Sequence, residues 1–415
     1  LVINRLTTVS VATDWETNLE FEIFGLLPIS HMYTHTRRSY LKKMTAVIAA
    51  NAMQGICRPV NAFEFYPVPY FPDSAQLKAI ADIAHQFINE FNAPGLSLSI
   101  ACRGHFVYKE GFGYADTSTR EPLMPSHLFR IASVTKPVTS AAIFTLMEQG
   151  KLGLNDFVFG KNGLLKYDFG ANFPEHAKDI TIYHLLTHTC GGWGNDDNDP
   201  MFSNPGMNHH QLIEWTLRTQ PLQYAPGDHF SYSNFGYCLL GRVIEKISGQ
   251  SYEEFVREHI IEKCDLAAMR LAGNTRLERA KDEVTYYGQH GENPYGMNIR
   301  RMDSHGGWIA TPTDLVRFAM HVDGFSTTPN ILHAETIKKM TAPGFINAHY
   351  ACGWAVNGTP NWWHTGSLPG TTSTMVRTAS GFCWAALTNT RSKGIDLAMD
   401  DMMWKIVRSV PAWRA

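Results

Sequence analysis

Two periodicities follow one another along this chain, and their order limits the fold more than any single residue does. Gly95 opens Leu96-Ser97-Leu98-Ser99-Ile100, which alternates as a strand should, and Phe106 to Phe112 follows as a second strand after Arg103-Gly104. Helical spacing then takes over. It runs from Ser133 through Glu148, stopped by Gly150, and reappears in His184 to Thr187, His210 to Thr219, Tyr237 to Ile247 and Tyr252 to Lys263. Strand patterns return in Tyr350 to Val356, Trp362 to His364, Thr372 to Arg377 and Phe382 to Leu387. A closing helix from Ile395 to Val407 carries Leu397, Met399, Met402, Met403 and Ile406, and Ser74 to Phe91 forms an amphipathic helix ahead of the first strand. Strands at both ends around a helical middle predict an α/β fold with one sheet assembled from the two ends. A helical subdomain stands beside it, with a cleft for ligands between the two.

The 415 residues are 44% hydrophobic, enough for a large buried core. A net charge of −2 carries no basic excess for a phosphate backbone, which argues against nucleic acid as a partner. The seven cysteines are odd in number and form no C-x-x-C pair, so they read as buried free thiols and not as a disulfide framework or zinc site. No apolar stretch is long enough for an integral membrane segment. Arg37-Arg38 and Lys42-Lys43 precede the apolar run Met44 to Cys57, with Val60-Asn61-Ala62 after it: the order of a secretory leader. Export to the periplasm or beyond is therefore expected, with Met44 or a neighbour as the native start; an ordinary surface helix in a cytoplasmic protein is the alternative. Residues 1–74 are assigned as an extension, including possible strands in Val9 to Phe24 and a Pro-rich linker over Tyr66 to Pro72. Residues 75–415 form the main domain, its sheet part at about 75–132 and 301–415 and its helical part at about 133–300.

The sharpest chemical feature is Ser133-Val134-Thr135-Lys136 at a helix start. Residues three apart share a helix face, so the Lys136 amine lies beside the Ser133 hydroxyl. Serine is a poor nucleophile until a neighbour accepts its proton, and a desolvated lysine can do so at neutral pH. The pattern alone is weak, since Ser39-Tyr40-Leu41-Lys42 also fits it. Two motifs downstream give it weight. Tyr232-Ser233-Asn234 falls in a loop between helices, and His364-Thr365-Gly366 falls on a strand before the turn-rich Ser367-Leu368-Pro369-Gly370.

S-x-x-K, Y-x-N and K-T-G or H-T-G, in that order, resemble the motifs of class C β-lactamases, D,D-peptidases and related esterases and D-aminopeptidases. The likeness extends over most of residues 75–410, including Leu185 to Gly192, Gly227 to Tyr237 and Gly306 to Leu315. It implies a β-lactamase/transpeptidase-like fold, an antiparallel sheet flanked by helices plus an all-helical subdomain, working without metal or organic cofactor. It also implies roles. Ser133 would be acylated, and Tyr232, its pKa lowered by Lys136, would act as general base; sequence leaves open which of the two takes the first proton. Asn234 would hold Lys136 and the substrate, and the backbone N–H groups of Ser133 and Ser367 would form an oxyanion hole. His364 would line the far wall and share protons with Tyr232, with Thr365 and Gly366 against the substrate.

Where class C β-lactamases carry lysine, this chain has His364, whose mostly neutral ring holds a β-lactam carboxylate less well. Arg377 is a candidate substitute charge, though its position on a strand fits a surface role as well. Trp193 and Trp308 are candidate walls of an apolar acyl pocket, with core packing as the plainer reading. No G-x-S-x-G or H-E-x-x-H occurs, and His184 and His188, four apart, lack a third metal ligand and read as structural or capping residues. The expected substrate is a small carboxylic ester or amide, with a β-lactam or D-amino-acid peptide next. A binding protein that acylates without turning over is the alternative of another class.

Overall fold

The computed structural model describes residues 70–195 and 199–414. The leader-like segment, Ser39 and Lys42, one of the seven cysteines (Cys57), the strands expected in Val9 to Phe24 and most of the Pro-rich stretch lie outside the described residues.

The alternating run becomes β1 (Gly95–Cys102), which pairs on one side with β2 (His105–Asp116) and on the other with β10 (Phe382–Thr388), nearly three hundred residues away in sequence. The other strands are β3 (Glu121–Pro122), β4 (Phe129–Arg130), β5 (Arg270–Leu271), β6 (Trp308–Ala310), β7 (Ala355–Val356), β8 (Trp362–Leu368) and β9 (Thr371–Arg377). The large sheet runs β3-β2-β1-β10-β9-β8-β7, every neighbouring pair antiparallel. A small sheet, β4-β6-β5, stands apart from it. Strand β7 is shorter than the alternation of Tyr350 to Val356 suggests, because Tyr350 joins it only through a bridge to Ala355.

The helices are α1 (Ser74–Phe91), α2 (Thr135–Glu148), α3 (Ile182–Leu186), α4 (His209–Thr219), α5 (Asn234–Ser248), α6 (Tyr252–Val256), α7 (Pro312–Met320), α8 (Ala334–Met340) and α9 (Ile395–Ser409). Asp73 starts α1 with a reciprocal capping box to Gln76. Helices α1 and α9 cover one face of the large sheet, where Leu96, Leu98 and Ile100 meet Ile80, Phe87, Met399, Met403 and Ile406. Leu77 and Leu397, near the starts of these helices, remain exposed. Ser97 and Ser99, the alternate residues of β1, are buried too, because α7 packs against β1 and the opposite face is also covered. Small hydroxyls suit that close approach; the Ser97 Oγ donates to the Glu110 carbonyl.

Helix α2 is buried almost all round and runs through the larger apolar cluster against α5 and α8. Pro137 sits in its first turn, where an N–H would have no intrahelical partner, so the helix loses no hydrogen bond there. Between residues 150 and 300 the helices are joined by long irregular segments and the short strand β5, so this part is less continuously helical than its spacing suggests.

Candidate active site

Ser133 lies in a 3-10 turn, Ala132–Val134, that runs straight into α2. Two hydroxyls of β9 hold the approach to this turn: Thr371 Oγ1 donates to the Arg130 carbonyl at 2.9 Å and Ser373 Oγ to the Ile131 carbonyl at 2.7 Å. Ala132 is left at φ 47°, a conformation costly for a residue with a Cβ, and such strain survives only where the surroundings over-determine it. On β8, Gly366 passes so close that a Cβ there would lie 2.2 Å from the Ile131 oxygen and 3.0 Å from Ser133 N. Glycine is required for the third motif to meet the first. Ser367 follows it, exposed, at the end of the strand, and Thr365 is half-buried.

Lys136 is fully buried, and its Nζ lies 3.1 Å from Ser133 Oγ, 2.7 Å from Asn234 Oδ1 and 3.1 Å from the His305 carbonyl oxygen. Burial pushes its pKa down to about 7, opposed by the charge of Asp199. In its neutral form the amine has two N–H groups for two oxygens that only accept, Asn234 Oδ1 and His305 O, and its lone pair is left for Ser133. Asp199, buried, accepts the N–H groups of Asn234 and Met201, and burial raises it to about 6. Asn234 also donates to Asn195 Oδ1, which fixes its amide so that Oδ1 faces the lysine. The His305 carbonyl is held in turn: Arg242 pairs with buried Asp303 at 2.6 Å, and Asp303 takes the Ser304 N–H. Burial would raise the Asp303 carboxyl, yet the Arg242 guanidinium holds it below the usual carboxylate range.

Tyr232 ends the loop before α5. The Ser231 N–H donates to the His188 carbonyl, the Asn195 N–H to the Tyr232 carbonyl, and Ser233 caps α5 through Gly236 N. Lys136 Nζ lies 4.7 Å from the centre of the Tyr232 ring. The expected lowering of the Tyr232 pKa does not occur. Burial raises the phenol above its ordinary value, and its hydrogen bond with Ser133 only partly offsets this. The desolvation that primes the amine works against the phenol, because burial always disfavours the charged form.

His364 does not share protons with Tyr232 by direct contact. Its Nε2 is 3.0 Å from Tyr350 Oη, and Tyr350 Oη is 3.1 Å from His188 Nε2. Burial and the neighbouring Lys136 hold His364 down at about 3, so the ring is neutral. Trp193 and Trp308 also depart from expectation. Both are core residues, Trp193 edge-on to Phe235 and Trp308 to Tyr252. Arg377 is neither at the surface nor at the site: it is buried between Phe325 and Trp362 and donates to the carbonyls of Pro360 and Asp323. His184 belongs to the capping box of α3, as a capping reading requires.

The structure thus gathers Ser133, Lys136, Tyr232, Asn234, His364 and Gly366 and adds His188, Asp199 and Tyr350. His188 stood in the run Leu185 to Gly192. Tyr350 heads a segment read only as a strand, and Asp199 carried no signal at all. Among the described residues no group of three or more His, Cys, Asp or Glu could hold a metal ion, and no helix is long and apolar enough to cross a membrane.

Comparison with known proteins settles the family. The Beta-lactamase family model matches residues 80–406, most of the chain. This chain belongs to the β-lactamase family. Its fold is the serine hydrolase fold of that family. It is 29% identical over 303 residues to penicillin-binding protein 4* of Bacillus subtilis (strain 168), covering 66% of this chain and 63% of that protein. The matches to it and to protein flp of Staphylococcus aureus (strain MW2), at 63% and 58% of their lengths, mean that the chain spans less than two thirds of these curated relatives. Among solved structures, the octameric penicillin-binding protein homologue from Pyrococcus abyssi superposes with a TM-score of 0.63 at 25% identity, over 81% of this chain and 79% of that one. The D-amino acid amidase from Ochrobactrum anthropi SV3 superposes with a TM-score of 0.68 at 21% identity, over 82% of this chain and 100% of that one. In this β-lactamase-family chain, then, the three motifs meet around Ser133, and the third brings a neutral imidazole.

Proposed function

We propose that residues 75–415 hydrolyse small carboxylic esters or amides, uncharged at the wall next to His364, through an acyl-enzyme on Ser133. The observation that carries this reading is the buried Lys136 amine, lowered to about 7 and 3.1 Å from Ser133 Oγ. Neutral Lys136 takes the Ser133 proton as Oγ attacks the carbonyl carbon. The bond to the leaving alcohol or amine breaks as Tyr232 Oη hands it a proton, replaced from Lys136. Water then attacks the acyl-enzyme with Lys136 again as base, and Ser133 regains its proton. Backbone N–H groups of Ser133 and Ser367 receive the oxyanion, and Asn234 keeps the lysine aimed. The raised phenol of Tyr232 supports donation in preference to the role of first base.

The name of the Bacillus relative, a penicillin-binding protein, favours acylation by β-lactams as the second reading. Turnover of p-nitrophenyl acetate and butyrate beside nitrocefin, for the wild type and Ser133→Ala, separates the two. Ester turnover that vanishes with Ser133, and slow nitrocefin, is the expected result. Fast nitrocefin hydrolysis supports the second reading, and ester turnover that survives Ser133→Ala overturns the mechanism.

A further inference from the structure

Beside His364, a file of four hydrogen bonds links Ser233 to Thr365 through His188 and Tyr350, with Tyr237, which donates its own proton to the Leu186 carbonyl, as a side branch at Tyr350. The Thr365 carbonyl can only accept, so its 2.6 Å contact with His364 Nδ1 puts the imidazole proton there. Neutral His364 then offers only a lone pair at Nε2, and Tyr350 Oη, 3.0 Å away, donates to it. The Tyr350 oxygen is left to accept, and His188 Nε2 donates to it at 3.1 Å. His188 Nδ1 accepts the Ser233 backbone N–H at 3.0 Å, a group that can only donate. Every donor in the file points the same way, from Ser233 toward Thr365.

The file is rigidly packed. His188, Tyr350 and His364 are buried, and the His188 ring centre lies 4.8 Å from that of Tyr350, 4.2 Å from Tyr232 and 5.1 Å from Tyr237. His188 is held at φ 57°, which turns its ring into this cluster at a cost the surrounding contacts must offset. The titratable groups that face His364 are Lys136 from α2, Tyr232 from the loop before α5, Tyr350, and His188 from the segment after α3.

We propose that His188 and Tyr350 are positioning residues that lock His364 as the neutral Nδ1–H tautomer with both nitrogens occupied. The wall then offers a substrate neither a cation nor a free N–H, and the site discriminates against substrates that carry a carboxylate there. This rests on the hydrolase reading above and adds the cause of its selectivity. A lone imidazole in the same place can turn, change tautomer or gain a proton; this one is spent on both sides.

The test compares phenyl acetate with its 3-carboxyphenyl counterpart in the full chain between pH 5 and 9. In the wild type, the carboxylate-to-neutral ratio of kcat/KM is expected to stay low and flat below pH 8. In Tyr350→Phe the imidazole, no longer pinned at Nε2, can change tautomer or turn and offer an N–H, which raises that ratio about three- to tenfold, the worth of one hydrogen bond, mainly through KM. Burial and Lys136 still keep the ring neutral, so the rise is the same at about pH 5.5 and pH 8. A folded Tyr350→Phe whose ratio matches the wild type overturns the proposal. A second measurement needs no turnover. Long-range proton–nitrogen NMR of 15N-histidine protein, with His364 assigned by its loss in His364→Gln, should show Nδ1 protonated and Nε2 bare from pH 5 to 8. A protonated Nε2 in that range overturns the lock. Failure of the hydrolase reading is a different result, the absence of Ser133-dependent turnover of either ester.

Discussion

On one face of the large sheet, Leu96, Leu98, Ile100 and Trp384 are covered by α1 and α9 with apolar side chains, Phe87 and Trp404 among them. Around Ser133, buried side chains include Lys136, His188, Asp199, Arg242, Asp303 and His364. Both sets of side chains are buried, and they are held in opposite ways. The first gains from every area of hydrocarbon removed from water and needs no particular partner. In the second each polar group has lost its water and depends on named partners, so that removing one leaves another orphaned. The same desolvation has a product: it brings the Lys136 amine down to about 7 while lifting the Tyr232 phenol.

The largest way to separate the two regions is Ser133→Ala. Ester turnover should fall by on the order of 10⁴-fold or more, as for other acylated nucleophiles, with the urea midpoint unchanged. A midpoint that falls in step with the activity would mean that Ser133 serves the fold. Next comes a pair of stability changes. Trp384→Ala should cost about 3–5 kcal/mol through the cavity it leaves in the apolar face, and kcat/KM of the remaining folded protein should hold within about twofold. Arg242→Met should cost a similar ~3–5 kcal/mol, because Asp303 is left buried without its counter-charge, but here kcat/KM should also fall since Asp303 steadies the segment carrying the His305 carbonyl. Urea titration beside ester kinetics reads both. If Arg242→Met leaves kcat/KM intact, the chain of support to Lys136 is broken.

A smaller effect sharpens the electrostatic side. Protonated Lys136 cannot accept the Ser133 proton, so kcat/KM for a neutral ester should rise with pH and level off above a midpoint near 7. The Asp199 carboxylate favours the ammonium, so Asp199→Asn should move the midpoint down; a midpoint that stays or rises removes Lys136 as the titrating base. His364, held at about 3, is too low to produce that limb. The smallest expected change is at the exposed start of α9. Leu397→Gln should shift stability by no more than about 0.5 kcal/mol, and a larger loss would show that the apolar region extends further than the buried residues indicate.

The strands, most helices and the three motifs were legible from local pattern, because alternation and helical spacing are set by neighbours in sequence. Ser133 and Lys136 fall one turn apart, where the 3-10 turn runs into α2, for that reason alone. The misreadings share the opposite property. Trp193 and Trp308 were candidate pocket walls, with core packing as the plainer reading, and packing against Phe235 and Tyr252 decides for the core. Arg377 reads as a charge for the substrate until Phe325 and Trp362 are seen on either side of it. Asp199 had no motif, and its place under Asn234 follows from the path of an irregular segment.

By itself the sequence determined which groups can do chemistry: a serine and a lysine one helical turn apart, a tyrosine and an asparagine at a helix start, and a histidine, a threonine and a glycine in a row on a strand. The tertiary structure alone decided their protonation and their partners. Segments near residues 133, 188, 232, 305, 350 and 364 meet only in the folded chain, and a pKa answers to the water and charges that this meeting removes or supplies. That is why the proposed proton acceptor beside Ser133, and the proposed lock on His364, rest on the assembled site.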